Sequence, residues 1–79
     1  MKVEYFNNAY IASHGHAPKG TGSWAFQICE IDGNEGEGKV IFTPPMTLTA
    51  AKVWARPYLA KEAIGYNVAA KSVLVDVLP

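Results

Sequence analysis

The sequence predicts an α+β domain: three strands, one helix and a fourth strand, with the helix laid across one face of a four-stranded mixed sheet. Three observations carry this. Trp24, Phe26 and Ile28 alternate with Ala25, Gln27 and Cys29, the period-two pattern of a strand with one strongly apolar face. Ala51, Trp54, Ala55, Tyr58 and Leu59 recur at the three- and four-residue spacing of a helical stripe. Val73, Val75 and Val77 alternate again near the C-terminus, and Leu74 and Leu78 populate the opposite face, as in a strand covered on both sides. With 79 residues the chain is expected to be one domain, residues 1–79, with a small core.

Each element follows in order. Val3-Glu4-Tyr5-Phe6 begins a strand with Val3 and Tyr5 on one face; Asn7-Asn8 is expected to interrupt it and Tyr10-Ile11-Ala12 to continue it. Ser13 to Gly22, with three glycines and Pro18, reads as a loop. Ser23 to Ile31 is the clearest strand, and Asp32-Gly33 is a turn signal. Val40-Ile41-Phe42 forms a short strand that Pro44-Pro45 ends. Thr47 is a suitable helix N-cap. Pro57 should kink or briefly break the helix, since it removes one N–H bond and crowds the carbonyl of Val53. Gly65 should close the helix in a left-handed conformation. Trp24, Phe26, Ile28, Val40, Phe42, Trp54, Leu59, Val73 and Val75 form the expected core.

An antiparallel meander of the first three strands, followed by a right-handed crossover that lays the last strand beside the first, gives the sheet order 3-2-1-4. That order resembles the first half of the ribonuclease-H-like fold. Gly20 to Phe26 looks like the glycine-rich start of that family's second strand, and Met46 to Thr49 sits where its first helix begins. That family's nucleases need several carboxylates to hold two metal ions. Here the first strand offers only Glu4, and Ala50 and Ala51 stand at the helix start. The resemblance therefore implies topology and not nuclease activity.

Composition narrows the classes further. Seven Lys and Arg balance seven Asp and Glu, which disfavours a strongly cationic nucleic-acid binder. The balance is uneven along the chain: residues 1–29 carry +1, residues 30–38 carry −4, and residues 39–79 carry +3. No apolar run approaches a membrane span, so no membrane partner is expected. The start lacks an apolar leader and there is one cysteine, which fits a cytoplasmic protein in a reducing cell.

No acid/base or nucleophile set stands out, so the chain is expected not to be an enzyme and to need no cofactor. His14-Gly15-His16 supplies two imidazoles but no four-ligand metal pattern. Cys29 reads as a small apolar strand residue. The segment from His14 to Trp24 is the richest in chemistry. Glycine-rich backbone can turn several N–H groups toward an anion, His14, His16 and Lys19 add donors and charge, and Trp24 offers a stacking plane. Against this stands an ordered loop whose glycines serve turns and whose tryptophan packs inward. The acidic stretch with Glu30, Asp32, Glu35 and Glu37 reads as a solvated hairpin tip or as a surface for a basic groove on a protein partner.

The segment Ser13-His14-Gly15-His16-Ala17-Pro18-Lys19-Gly20-Thr21-Gly22-Ser23-Trp24-Ala25-Phe26, followed by Met46-Thr47-Leu48-Thr49-Ala50-Ala51-Lys52-Val53-Trp54-Ala55, resembles a set of small bacteriophage-type proteins of uncharacterised function. They share a Ser-His-Gly-x-x-Pro-(Lys/Arg)-Gly-x-Gly-x-Trp-Ala-Phe segment and a similar helix start. Ala50 departs from an acidic residue that would complete a capping box. The resemblance implies an accessory protein made inside a bacterial host cell and supplies no activity.

Two functions are thus expected as alternatives. One is non-enzymatic binding of nucleic acid or a phosphorylated ligand through His14, His16, Lys19, Gly20, Gly22 and Trp24. The other is a protein-interaction module that inhibits or redirects a host protein, such as a defence component, through Glu30, Asp32, Glu35 and Glu37. Aromatic residues on an uncovered sheet face would favour a homodimer.

Overall fold

The computed structural model describes residues 1–79. Their elements run β1 (Lys2–Phe6), α1 (Asn8–His14), β2 (Thr21–Gly22), β3 (Ala25–Ile31), β4 (Asn34–Glu35), β5 (Val40–Phe42), β6 (Met46–Thr47), α2 (Leu48–Tyr66) and β7 (Ser72–Val77). The class is α+β with a mixed sheet, as the alternating and helical patterns require. The main sheet has five strands, because the short β4 pairs with the end of β3. β2 and β6 make a separate two-stranded ribbon.

The strand order corrects the expected 3-2-1-4. β7 lies between β1 and β3, parallel to β1 and antiparallel to β3, and β5 pairs with the far side of β3. The four long strands therefore run β1-β7-β3-β5, so the last strand is inserted rather than added outside the first. Composition accounts for this. β7 places Val73, Val75 and Val77 fully in the core and half-buries Leu74, so its hydrogen-bonding edges belong at the centre. β1 carries Lys2 and Glu4, paired at 2.7 Å, and these charges suit an edge.

A second helix also replaces the expected strand continuation. Residues 8–14 close a helix whose first bond runs from the Ile11 N–H to the Asn7 carbonyl, and Gly15 ends it at φ 74°. Tyr10 and His14 stand one turn apart, with ring centroids 4.0 Å apart and planes within 16°. Alternation around Tyr10-Ile11-Ala12 thus lost to a local four-residue contact.

β3 contains the one irregularity that positions everything after it. Ile28 faces Val75, but Glu30 faces Leu74, so the ladder shifts at Cys29. Unbroken alternation from Trp24, Phe26 and Ile28 would drive Glu30 into the core. The bulge instead brings Ile31 opposite Val73, packed on the core, and turns Glu30 to the other face.

α2 begins at Thr47, whose hydroxyl accepts the Ala50 N–H at 3.2 Å. Ala51, Ala55, Leu59 and Ala63 form its buried stripe, and three alanines let the helix lie close to the sheet. Tyr58 is 52% exposed and Trp54 is half-buried beside it, so neither belongs to that stripe. The helix runs through Pro57 without a break and continues past Gly65. Asn67 closes it in extended conformation, its N–H bonded to the Ala63 carbonyl, so the expected glycine cap is not used.

The core gathers Trp24, Phe26, Ile28, Val73, Val75 and Val77 under the four α2 residues. Phe42 and Val40 were expected there and are not. Ile41 pairs with Phe26 and faces the helix, so its two neighbours point to the opposite side; Phe42 is 71% exposed. No helix is long and apolar enough to cross a membrane.

Candidate interaction surfaces

The glycine-rich loop keeps part of its expected chemistry and loses its stacking plane. Trp24 is buried: its indole Nε1 donates to the Met46 carbonyl at 2.7 Å, and its backbone N–H donates to the Thr43 hydroxyl at 2.9 Å. Thr43 returns its own N–H to the Trp24 carbonyl at 2.8 Å. The indole therefore ties the start of β3 to β6 and cannot receive a base. Gly22 is paired with Met46 in the small ribbon. Gly20 sits at φ 77°, a turn conformation.

His14, His16, Lys19 and Gly20 remain exposed. The two imidazole centroids lie 6.0 Å apart, and Tyr10 lies beside both. His16 Nδ1 donates to the Ala17 carbonyl at 2.8 Å, which leaves Nε2 outward. No group of three or more His, Cys, Asp or Glu is arranged to hold a metal ion.

The acidic stretch is divided by the structure. Asp32 and Gly33, at φ 49° and 83°, are the two central residues of a tight hairpin between Ile31 and Asn34. The Asp32 carboxylate accepts from the backbone N–H of Lys71 and Ser72 and from the Ser72 hydroxyl, at 2.9–3.3 Å. These bonds hold its pKa below the usual carboxylate value, the Lys71 and Ser72 amides first. Asp32 thus fastens the turn to the start of β7. Glu35 and Glu37 are exposed, and Glu30 is half-buried. With Cys29 and Tyr66 they line a shallow groove of about 250 Å³.

The sheet face opposite α2 has no covering layer. Register places Glu4, Leu74 and Glu30 in one row across β1, β7 and β3. Phe6, Asp76, Gln27 and Val40 form the next, and Ala25 lies opposite Phe42. Phe6 and Phe42, 40% and 71% exposed, border the two sides. Cys29 opens on the same side. Its thiol pKa is pushed up by burial first and then by the Asp76 and Glu30 carboxylates, and its Sγ donates to the Leu74 carbonyl at 3.4 Å. It therefore stays protonated and a poor nucleophile at neutral pH. The face is apolar and anionic, with Lys2 at its margin.

The outer side of α2 is the second uncovered surface. Val53 and Ile64 are 73% and 47% exposed, and exposed Pro57 lies between them on the same side. Lys61 and Arg56 are exposed with them, and the Arg56 Nη2 donates to the Met1 carbonyl. The uncovered sheet face was expected from a single covering helix, but its acidic residues and the apolar outer side of α2 were not. The signals were Asp76 between Val75 and Val77, and the apolar spacing of Val53, Pro57 and Ile64 away from the buried stripe.

The chain matches no protein-family model, and no curated protein and no solved structure is significantly similar to it.

Proposed function

We propose that this chain is a non-catalytic protein-interaction domain whose open sheet face docks another polypeptide. One observation carries the reading: Phe42 stands 71% exposed at the border of the sheet face that α2 does not cover, and the Asp76 and Glu30 carboxylates lie further along the same face. Aromatic side chains, Phe among them, are enriched at the cores of protein interfaces, and charged groups lie at their rims. Carboxylates on that face repel a phosphate backbone, which favours a protein over a nucleic acid. Glu35 and Glu37 extend the acidic margin beyond Glu30. In the bacteriophage-type setting that the sequence resembles, the partner would be a host protein that the domain inhibits or redirects.

The test is capture with immobilised protein. Wild type should retain one partner at defined stoichiometry. Phe42→Lys should lose it, and charge reversal at Glu35 and Glu37 should weaken it. Equal capture by wild type and Phe42→Lys would sink this reading.

The exposed His14 and His16 rings, with half-buried Tyr10 against them, and the exposed Lys19 of the same loop support a second reading, binding of a phosphorylated ligand or nucleic acid there. Salt-sensitive retention on single- or double-stranded nucleic acid, weakened by Lys19→Ala, would support it. Absence of retention at low ionic strength removes it.

A further inference from the structure

The two uncovered surfaces complement each other, and we propose that the occupant of the open sheet face is a second copy of this chain, docked through the outer side of its α2. The proposal rests on the reading of that face as an interaction surface. Its argument begins with the helix. Ala51, Ala55, Leu59 and Ala63 are already buried against the chain's own sheet, yet Val53 and Ile64, with exposed Pro57 between them, carry a second apolar stripe into solvent. A helix apolar on both sides is built to be covered on both.

Charge then selects the cover. The outer side of α2 carries Lys61, with Arg56 at its flank. The helix's one carboxylate is turned away: Glu62 Oε1 accepts the Lys39 N–H at 2.6 Å, and Oε2 is buried. The outer side is therefore apolar and cationic. The open sheet face is apolar and anionic, through Glu30 and Asp76, since Glu4 is paired with Lys2. Two sheet faces brought together would oppose carboxylates, and two outer helix sides would oppose cations. Helix on sheet pairs unlike charges and buries apolar surface from each.

Size agrees. α2 has 19 residues and is about 28 Å long, enough to cross the about 15 Å between the outer axes of the four strands. The contact joins different patches of two identical chains, so it is head-to-tail and repeats into a ring or an open stack.

The test uses two substitutions at exposed positions. Val53→Glu spoils the helix side and leaves the sheet face intact; Phe42→Lys does the reverse. Sedimentation velocity over a concentration series, with circular dichroism as the fold control, gives the readout. Wild type should rise above the 8.6 kDa monomer with concentration and fall back on adding salt. Each variant alone should associate at least about tenfold more weakly than wild type, and an equimolar mixture of the two should associate again. If either variant fails to fold, Ile64→Glu and Phe6→Lys replace the pair.

A folded wild type that stays monomeric throughout overturns the proposal. So does either variant assembling alone as wild type does, or a mixture that stays monomeric while wild type assembles. A monomeric wild type leaves the broader interaction reading standing, because capture of a different protein that Phe42→Lys abolishes would still support it.

Discussion

The two faces of one sheet behave as different materials. Toward α2, Phe26, Val73, Val75 and Val77 are almost wholly excluded from water, Tyr5 meets Phe26 edge-on at 5.3 Å, and the Tyr5 hydroxyl donates to the Lys52 carbonyl at 3.2 Å. Away from α2, the same strands carry Glu4, Glu30 and Asp76 between half-buried Leu74 and Val40, with Phe6 and Phe42 at the borders. The first face holds the fold together through close packing. The second adds little to folding and keeps its apolar area available. The difference teaches that stability and interaction are separated here by strand alternation and not by separate segments of chain.

That separation predicts a steep contrast between neighbouring aromatics. Phe26→Ala should cost about 3–5 kcal/mol in chemical denaturation, since it removes a fully buried ring. A chain this short with that loss should be largely unfolded at ambient temperature. A cost below about 1 kcal/mol would mean that the covered face is not the core.

The helix that creates the contrast should respond at its cap. Thr47→Ala removes the acceptor for the Ala50 N–H and should cost about 1 kcal/mol, measured the same way. Thr47→Ser should restore most of it.

Asp32 links the hairpin to β7 and titrates with a lowered pKa. A lowered folded-state value means that the ionised form is bound more tightly when folded. The contribution is present above the unfolded value of about 3.9 and is lost as pH falls through the folded one. Asp32→Asn should therefore be less stable than wild type near neutral pH, with the gap closing in acid. A gap constant from neutral pH down to the acid transition would refute the linkage.

The smallest effect belongs to the open face. Phe42→Lys should change stability by no more than about 0.5 kcal/mol, because the ring is already exposed. Its consequence should appear in association alone. A large loss of stability would erase the proposed distinction between the two faces.

Much of the fold was legible in particular residues. The alternation from Trp24 to Ile28, the Val73–Val77 run, the Thr47 cap and the Asp32-Gly33 turn each produced the element they imply. The sheet order was not legible, since a strand's neighbours are set by long-range pairing and not by its own pattern. The short α1 was missed because seven residues carry too little periodicity to separate a helix from a strand. At the candidate sites, the His14–Lys19 loop was recognised as exposed and chemically mixed, but the role of Trp24 was not. Its partners, Met46 and Thr43, lie 22 and 19 residues away.

The sequence by itself determined the longer strands, the long helix and the positions of charge, because these follow from local propensity and periodicity. Tertiary structure decided which face each residue serves. The bulge at Cys29 turned Glu30 out of the core, the phase of β5 put Ile41 in and Phe42 out, and insertion of β7 between β1 and β3 assembled Glu4, Asp76 and Glu30 on one surface. A one-residue change of register reverses the side every later residue faces, and only long-range pairing of strands sets that register.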